Sequence, residues 1–565
     1  MGIHSTKHSA QVVAKKLQEY DIQDIIISPG SRNAPLIIEF TNNYFFNNYS
    51  IIDERSAAFF ALGMAQQKQK PVALVCTSGS ALLNYYPAIA EAFYSRIPLI
   101  IISADRPQKW IDQGEGQTIR QDKVFHNHIG FEFTFDDNQK DNELNTKKAI
   151  EAAIRKKNPV HINIPFDEPL YETIETEILI NHNNTEVIIP EIDKIQLEKY
   201  HKIWQKSNKI MILAGQLPPS DFIEKQLDKL SSNSNVVVLN ENISNVQNKK
   251  FINNIDQTIF LLNDKELENL KPDLLITIGR NIISKKVKQF LRKHQPENHW
   301  HIEHQIDIAP DTFEALTAHI DTTPEMFFSQ LLFLIYDNEN KESNYQKKWL
   351  SIKEKNKTRH QKYLEKTDFS DLKIFDFLSK NIPENFMLQW GNSSTVRYAQ
   401  LFDFKKNILH FSNRGTSGID GSTSTAIGAC FASKKPTILV TGDISFLYDS
   451  NALWNKYIPK NFKIILINNG GGDIFNFIPG PSKTKALNEF FVTKHNLKVK
   501  DLSKTYHIDY QLINNLDDLK SSFSSFINEN NSPKIMEIDT RKINNSKILK
   551  DYFNFIFSEN NLNKI

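Results

Sequence analysis

Residues 437–454 read TILVTGDISFLYDSNALW, and residues 462–475 read FKIILINNGGGDIF. Each segment begins with an apolar, β-branched run typical of a buried strand and then breaks sharply, the first at Gly-Asp and the second at Asn-Asn-Gly. In an open parallel α/β sheet, ligands bind outside the carboxyl ends of the strands. The two breaks therefore predict a doubly wound parallel sheet with polar groups at its ligand-binding edge.

The same alternation of short apolar runs and longer amphipathic stretches extends outward through the chain, as in parallel α/β domains. Further strand-like runs occupy residues 24–28, 72–77, 99–104 and 160–165, then 209–215, 235–241 and 273–279, then 386–391, 407–412 and 534–539. A chain of 565 residues is too long for one hydrophobic core. We predict three doubly wound α/β domains at 1–185, 186–340 and 369–565, with a Lys-, Asn- and Glu-rich solvated helix or connector at 341–368.

Composition and charge exclude several classes of partner. The 68 Lys and Arg residues nearly balance the 66 Asp and Glu residues, and a formal net charge of +2 gives no electrostatic footprint for nucleic acid or an anionic membrane. Cys76 and Cys430 are too few for a disulfide framework, which favours a reducing cytoplasm. No apolar signal core opens the chain, and no apolar run reaches the ~20 residues of a membrane span. We therefore expect a cytoplasmic protein with small-molecule partners or other protein chains, no nucleic acid and no stable membrane association.

The polar residues at the two strand ends are those that a magnesium ion needs. Asp443 supplies a carboxylate and Asn469 an amide oxygen, hard ligands of the kind that Mg²⁺ combines with phosphate oxygens. The glycines at 470–472 allow the backbone to approach a diphosphate closely. An Asp or Asn at such a position is also an ordinary helix cap, but the spaced combination with a glycine run favours a diphosphate site anchored through a metal.

Gly-Asp after one strand and Asn-Asn-Gly after the next resembles the signature of the thiamine-diphosphate-dependent enzymes. The resemblance implies thiamine diphosphate and Mg²⁺ as cofactors, with Mn²⁺ able to substitute, and it implies Asp443, Asn469 and the carbonyl of Gly471 as metal ligands. It also implies that domain 1–185 binds the pyrimidine, that 186–340 is central, and that 369–565 binds the diphosphate and metal. Further cofactor contacts are expected from the matching positions Ser78, Gly79, Ile419, Gly442, Ile444, Ser445 and Ile474.

Glu54 stands in the segment IIDERSAAFFALGMA, between a predicted strand end and a long helix. By the resemblance it is the catalytic carboxylate that shifts the tautomer of the cofactor's aminopyrimidine, so that the thiazolium C2 proton can be removed. Taken alone, a Glu at this position is more often a first-turn helix carboxylate. Its occurrence together with the distant metal motif favours catalysis.

A narrower resemblance covers both end domains densely and the central domain mainly in its layout. It rests on SPGSRNAPL, DERSAAFFALGMA, TSGSALLNYYPA, ADRPQKWIDQGEGQTIRQ, SNRGTSGIDG and GDISFLYDSNAL. These segments are similar to the branch of the family that joins 2-oxoglutarate to isochorismate in menaquinone biosynthesis. That branch implies a transferase that decarboxylates 2-oxoglutarate and adds the succinyl-semialdehyde carbanion to isochorismate. It further implies a homodimer or homotetramer with active sites at the subunit interface.

Substrates with several carboxylates need several cations, and the planar fork of arginine pairs with carboxylates bidentately. Four arginines lie beside Gly, Ser or Pro at predicted strand ends and could converge on one cleft: Arg32, Arg106, Arg397 and Arg414. By the resemblance, the contacts on the isochorismate side are Ser31, Arg32, Arg106 and Gln117. Those on the side of the succinyl group are Ser393, Arg397 and Arg414, and the central domain contributes Lys285, with Lys286 as the alternative.

Two alternatives of different kinds remain open at the level of sequence. Another thiamine-dependent decarboxylase or carboligase, such as an acetolactate synthase, would share the cofactor motif but would have less need of several carboxylate-binding arginines. A non-catalytic sensor could keep the cofactor fold, but the presence of Glu54 beside Asp443 and Asn469 argues against that class. A turnover assay with 2-oxoglutarate and isochorismate separates these hypotheses.

Overall fold

The structure is a computed structural model that describes residues 2–136, 141–180, 188–260, 262–335, 342–477 and 480–561, with side chains described as far as residue 556. Three wholly parallel sheets of six, five and six strands alternate with helices, which confirms the α/β class. The predicted domain boundaries at 185/186 and 340/341 lie outside the described residues. No helix in the described part of the chain is long and apolar enough to cross a membrane.

The first six-stranded sheet has the strand order β3-β2-β4-β5-β7-β6 and is followed by a strand that pairs antiparallel with the first strand of the chain. Its central strands are apolar and fully buried, so helices cover both faces. The elements are β1 Gly2–Ser5, α1 His8–Glu19, β2 Asp24–Ile27, α2 Ala34–Thr41, β3 Asn47–Ser50, α3 Glu54–Lys68, β4 Val72–Cys76, α4 Ser80–Asn84, α5 Tyr86–Ser95, β5 Leu99–Asp105, β6 Phe131–Thr134, α6 Asn142–Lys156, β7 Val160–Pro165 and β8 Thr173–Thr176.

The five-stranded central sheet has the order β10-β9-β11-β12-β13. Strands β9, β10 and β11 are mostly apolar and every residue in them is buried, as the sequence predicts. The elements are α7 Lys194–Lys206, β9 Ile210–Ala214, α8 Asp221–Leu230, β10 Val236–Asn240, α9 Ile255–Ile259, α10 Asp264–Leu270, β11 Leu274–Ile278, α11 Lys285–Lys293, β12 Asn298–Ile302, β13 Ala318–Ile320 and α12 Pro324–Ile335.

The segment predicted as a solvated helix or connector contains one long helix, α13, spanning Tyr345–Lys366. One side of this helix is buried rather than solvated, because Trp349 packs into a core cluster of the central sheet and Leu364 into that of the last sheet. Because lysines dominate the composition of this helix, the sequence did not reveal the apolar positions on its buried side. The helix therefore packs on two sheets at once.

The last sheet has the order β15-β14-β16-β17-β19-β18. Its connectivity repeats that of the first sheet: the first two strands lie in reverse order at one edge and the last two at the other. The elements are α14 Asp371–Asn381, β14 Met387–Trp390, α15 Ser394–Ala399, β15 Leu409–Phe411, α16 Ser422–Ser433, β16 Thr437–Gly442, α17 Asp443–Tyr448, β17 Phe462–Asn468, α18 Ile474–Phe477, α19 Val499–Thr505, β18 Asp509–Ile513, α20 Leu516–Asn528, β19 Lys534–Asp539 and α21 Asn545–Asn561.

Helices α3 and α16 join the first sheet to the last by direct backbone contact. A Cβ atom added to Gly63 would lie 2.0 Å from the carbonyl oxygen of Thr425, and one added to Gly428 would lie 2.0 Å from that of Phe60. Glycine is therefore required on both helices where they cross. This contact fixes α3, which begins at Glu54, relative to the sheet that carries the metal motif.

Candidate active site

Asp443 and Asn469 follow two neighbouring strands, β16 and β17, which pair in parallel register. The Asp443 carboxylate is buried, and its Oδ2 atom accepts hydrogen bonds from the Gly470 N–H at 2.9 Å and from His495 Nε2 at 3.0 Å. Burial raises the pKa of Asp443, whereas the Ile444 N–H and His495 oppose that rise. The first residue of α17 thus carries a desolvated carboxylate at the sheet edge.

The Asn469 amide faces the same site. Its Nδ2 donates to Asp371 Oδ2 at 3.1 Å, while its Oδ1 is buried and has no hydrogen-bond partner within the described ranges. A buried acceptor without a donor is costly, so such an atom calls for a ligand that satisfies it. A hard cation fits this donor set of carboxylate, amide oxygen and backbone carbonyl.

Gly471 completes the expected ligand set. Its φ is +144°, and a Cβ atom there would lie 2.4 Å from the carbonyl oxygen of Val492. Only glycine fits this turn, which brings the backbone against the cavity. The donor set is therefore chemically suited to a magnesium ion.

A cavity of about 300 Å³ lies beside these groups. Most of the predicted cofactor contacts line it: Ile419, Gly442, Asp443, Ile444, Ser445, Asn469 and Gly471, together with Ser393, which was predicted to contact the succinyl side of the substrates. Ile474 instead lines a smaller adjoining cavity with Arg397. Sequence reasoning missed Asp371, Tyr398, Asp473, Phe475 and Phe491, which also line the larger cavity.

Glu54 is the first residue of α3 and is half-buried. Burial raises the pKa of its carboxyl group, and a hydrogen bond with the Asn84 side chain opposes that rise. The helix is capped by Asp53, whose Oδ1 accepts the Ser56 N–H at 3.0 Å, so Glu54 is not needed as the cap. Glu54 does not line the cavity beside Asp443.

Four predicted residues come together beyond the carboxyl ends of β4 and β5. The Ser78 hydroxyl donates to the carbonyl oxygen of Gln117 at 2.9 Å, and the Arg106 Nη2 donates to that of Gly116 at 3.2 Å. A Cβ atom on Gly79 would lie 3.3 Å from the Gln117 backbone, so the turn after β4 touches the loop after β5. This arrangement brings Ser78, Gly79, Arg106 and Gln117 into one cluster.

Gln121 underlies that cluster and was missed by sequence reasoning. Its Oε1 accepts the Gly79 N–H at 2.8 Å, and its Nε2 donates to Asn163 Oδ1 at 2.8 Å. Asn163 in turn donates to Asp105 Oδ2 at 2.8 Å, immediately before Arg106. A buried polar network therefore fixes the loop that carries Arg106 and Gln117. No sequence motif distinguishes such a glutamine from an ordinary loop residue.

Arg32 is buried, although its neighbour Ser31 is exposed. Its Nη1 donates to the carbonyl oxygen of Phe166 at 2.9 Å, and its Nη2 lies 3.3 Å from Glu168 Oε1. The chain after β7 therefore holds the guanidinium at the same sheet edge as Arg106. No direct contact between Arg32 and Arg106 is recorded among the described residues.

Arg397 and Arg414, both predicted to contact the succinyl side of the substrates, lie close enough for the charge of Arg414 to act on Arg397. Arg397 Nη1 donates to the Ser393 carbonyl oxygen at 2.5 Å, and Arg414 Nη1 donates to Asn392 Oδ1 at 2.6 Å. Burial lowers the pKa of both guanidinium groups, and Arg414 lowers the pKa of Arg397 further. A half-buried and a buried cation that repel each other favour an anionic ligand near them.

The loop that carries Arg414 is held by Glu91 of helix α5, another residue that sequence reasoning missed. Its carboxylate accepts hydrogen bonds from the Gly415 N–H and the Thr416 N–H, each at 2.7 Å, and from the Thr416 hydroxyl at 2.9 Å. Glu91 is itself buried. A carboxylate from the first sheet therefore shapes the turn after β15.

The central sheet contributes lysines from the start of α11. Lys285 is exposed, whereas Lys286 Nζ lies 4.4 Å from the centre of the Phe260 ring. Burial raises the pKa of the nearby Asp256 carboxyl group, and the charges of Lys286 and Arg397 oppose that rise. Burial lowers the pKa of Lys288, and the neighbouring Arg414 lowers it further. Lys286 and Lys288 are thus the lysines that share charged surroundings with the two arginines.

Comparison with known proteins gives matches over most of the chain. Residues 7–125 match a family described as thiamine pyrophosphate enzyme, N-terminal TPP binding domain, and residues 184–388 match one described as middle domain of thiamine pyrophosphate. The chain is 50% identical over 506 residues to a 2-succinyl-5-enolpyruvyl-6-hydroxy-3-cyclohexene-1-carboxylate synthase of Flavobacterium psychrophilum, covering 89% of this chain and 90% of the relative. It is 49% identical to the protein of that name from Flavobacterium johnsoniae, covering 94% and 95%, and 36% identical to that from Porphyromonas gingivalis, covering 94% of each.

Proposed function

The chain belongs to the family of 2-succinyl-5-enolpyruvyl-6-hydroxy-3-cyclohexene-1-carboxylate (SEPHCHC) synthases, and from that premise we propose how its residues serve the reaction. It is a thiamine-diphosphate-dependent, carbon-carbon bond-forming transferase of menaquinone biosynthesis. The substrates are 2-oxoglutarate, which loses carbon dioxide, and isochorismate, which accepts the remaining succinyl-semialdehyde unit. The product is SEPHCHC.

The metal is part of this proposal. The unpartnered, buried Oδ1 of Asn469 beside the desolvated Asp443 is the observation that carries it. We assign Mg²⁺, or Mn²⁺ in its place, to Asp443, Asn469 and the Gly471 carbonyl, where it would bind the cofactor diphosphate. When bound, thiamine diphosphate supplies the electron sink that decarboxylation requires.

Glu54 is proposed as the catalytic carboxylate. Its position at the start of a buried helix, with Asp53 serving as the cap, leaves its side chain available to hydrogen-bond a pyrimidine nitrogen. A half-buried carboxylate forms a stronger hydrogen bond with a ligand than a carboxylate in water does, because its surroundings are less polar. Such a bond positions it for proton transfer with the ligand. Ser78 and Gly79 lie after β4, the next strand along the chain, and complete the pyrimidine side.

We assign the two groups of cationic side chains to different substrates. The half-buried Arg397 and the buried Arg414, with Ser393, suit the carboxylates of the donor and of the adduct formed from it. Arg106, Gln117, Arg32 and Ser31 lie at the edge of the first sheet and suit isochorismate. From the central sheet, Lys285 or Lys286 adds a cation toward the donor side.

The placement of Glu54 outside the cavity beside Asp443 is consistent with the proposed homodimer or homotetramer with active sites at the interface. Glu54 begins a helix of the first sheet and is not among the described residues that line the cavity beside Asp443, which belongs to the last sheet. Exposed apolar side chains adjoin both halves: Ile52 and Leu83 near Glu54 and Asn84, and Tyr448 and Trp454 after the metal strand. A second subunit would cover them.

Sedimentation equilibrium should detect no monomer at assay concentrations. A stable, active monomer would contradict this assembly. We place the enzyme in the cytoplasm.

The donor half-reaction tests the proposed function against another thiamine-dependent carboligase. With the cofactor and Mg²⁺ bound, the chain should consume 2-oxoglutarate and release carbon dioxide, whereas pyruvate should react poorly because it lacks the distal carboxylate. An acetolactate synthase prefers pyruvate. Preference for pyruvate would therefore overturn the assignment of the donor, while the absence of reaction with either would favour the sensor hypothesis.

We expect the arginines to affect different half-reactions. Loss of one charge-assisted contact costs about 1.5–3 kcal/mol, or roughly a tenfold to hundredfold loss in the affected step. Arg397→Ala should slow the formation of the cofactor-bound intermediate from 2-oxoglutarate alone. Arg106→Ala should leave that step normal and allow the intermediate to accumulate when isochorismate is added.

Stopped-flow spectra follow both steps directly. Arg292→Ala is the control and should change neither step, because it alters a half-exposed arginine on α11 that contacts the Thr312 carbonyl and the Glu314 carboxylate. If Arg106→Ala slowed the donor step and Arg397→Ala did not, the two pockets would have been assigned in reverse.

A further inference from the structure

Asn469 can bind a metal ion only if the oxygen of its side-chain amide, and not the NH₂ group, points toward the ion. The side chain has one oxygen and one NH₂ group of nearly the same shape, and a flip by half a turn would point donors rather than an acceptor into the cavity. In the structure, Nδ2 donates to Asp371, and Oδ1 of this cavity-lining residue is buried with no hydrogen-bond partner among the described residues. A group that accepts from Nδ2 therefore selects the orientation that binds a cation.

Asp371 is well placed to be that group. It is the first residue of α14, it lines the cavity, and its side chain is almost completely buried. Its Oδ2 accepts from Asn469 Nδ2 at 3.1 Å, and its Oδ1 accepts from the Thr540 hydroxyl at 2.7 Å. A carboxylate has no donor of its own, so it selects the NH₂ end of the Asn469 amide.

The surroundings of Asp371 hold it from two further elements. Its backbone N–H donates to Asn545 Oδ1 at 2.8 Å, and Asn545 Nδ2 donates to the Thr540 hydroxyl oxygen at 3.2 Å. The Thr540 N–H donates to the Asn468 carbonyl oxygen at 2.8 Å, which ties the network to the residue before Asn469. The acceptor therefore has little freedom to move away from the amide.

We propose that Asp371 is a positioning residue for the metal site, which acts by holding the Asn469 amide with its oxygen toward the cavity. This inference rests on the proposed metal site and adds to it a residue that does not touch the metal. Groups that orient metal ligands typically account for roughly tenfold to hundredfold in metal affinity. The alternative is that Asp371 only stabilises the start of α14 and the network with Thr540 and Asn545.

Binding of Mn²⁺ in the presence of saturating thiamine diphosphate tests the role without measuring activity. The concentration of free Mn²⁺ is read from its electron paramagnetic resonance signal. Asp371→Ala should weaken Mn²⁺ binding roughly tenfold to hundredfold. Asp371→Asn can keep an oxygen acceptor opposite Asn469 Nδ2 and turn its own NH₂ toward the Thr540 oxygen, so its affinity should stay within roughly threefold of the parent.

Asp376→Ala is the matched control, because Asp376 is also a buried aspartate on α14 but pairs with Lys380 and Lys373. It should lower stability without changing Mn²⁺ affinity. An equal loss of Mn²⁺ affinity in Asp376→Ala and Asp371→Ala would mean that any damage to α14 has the same effect, and it would overturn the inference.

A double-mutant cycle with Asn469→Ala separates orientation from general support. If Asp371 acts through Asn469, Asp371→Ala should cause no further loss of Mn²⁺ affinity once Asn469 has been replaced. Independent, additive losses would contradict that coupling. Should the alanine variants not fold, Asp371→Asn still tests the inference, because a tenfold loss of Mn²⁺ affinity in that variant would overturn it.

The same cycle distinguishes the failure of this inference from the failure of the metal site. Parental Mn²⁺ affinity in Asn469→Ala would mean that Asn469 is not a ligand, and the metal assignment would fall with everything built on it. A large loss in Asn469→Ala together with parental affinity in Asp371→Ala would leave the metal site intact and overturn only the role of Asp371.

Discussion

Asp443→Ala should abolish retention of thiamine diphosphate in the presence of Mg²⁺. Asp443 is the only carboxylate in the proposed ligand set, and its side chain is buried at the junction of β16 and β17. Removing this carboxylate removes the negative charge that offsets the cation. It also leaves the Gly470 N–H and His495 Nε2 without the acceptor that they have in the parent protein. Loss of a direct ligand should exceed the roughly tenfold to hundredfold effect typical of residues around a metal site.

Isothermal titration with cofactor and Mg²⁺ measures this loss. Asp517→Ala is a suitable control, because Asp517 also lies in the first turn of a helix but is 93% exposed and far in sequence from the site. Binding of the cofactor by Asp443→Ala as tightly as by the parent would show that the metal is held elsewhere. Unfolding should be followed in parallel, since a buried carboxylate is being removed.

Glu54→Gln should leave the fold intact and lower turnover severely. The amide keeps the shape of the side chain but cannot provide the carboxylate that shifts the tautomer of the cofactor pyrimidine. Positioned acid or base groups contribute roughly 10²–10⁴-fold to a rate, and the loss should fall in that range. Affinity for thiamine diphosphate should fall far less than turnover, because the metal site is unchanged.

Exchange of the cofactor C2 proton for deuterium reports on this step alone. Glu143→Gln provides the control, since Glu143 is likewise a first-turn glutamate, on helix α6. Exchange at nearly the parental rate in Glu54→Gln would identify Glu54 as an ordinary helix residue rather than the catalytic carboxylate.

The central strands of the fold were predictable from sequence because burial on both faces makes them continuous apolar runs. Edge strands were not. Strand β3, Asn47–Ser50, has no buried residue, and β6, Phe131–Thr134, is only partly buried, so neither shows the pattern of an interior strand. The antiparallel pair of β1 and β8 joins segments at opposite ends of the first block, which local periodicity cannot detect.

Local motifs made part of the candidate site predictable. Asp443 and Asn469 stand at the ends of recognisable strands, and the structure brings them to one cavity. Asp371 lies 98 residues from Asn469, and Glu91 lies 324 residues from Gly415, so only the folded chain reveals these contacts. The lysines of α11 were likewise not predictable, because sequence and charge do not reveal which side of the helix faces Arg397 and Arg414.

The most direct test of the account is product formation from the purified protein with thiamine diphosphate, Mg²⁺, 2-oxoglutarate and isochorismate, followed by mass spectrometry. The account predicts SEPHCHC and one equivalent of carbon dioxide, with no SEPHCHC when either substrate or the cofactor is omitted. Turnover of 2-oxoglutarate in which isochorismate is never incorporated would contradict it, as would product formation that does not depend on thiamine diphosphate.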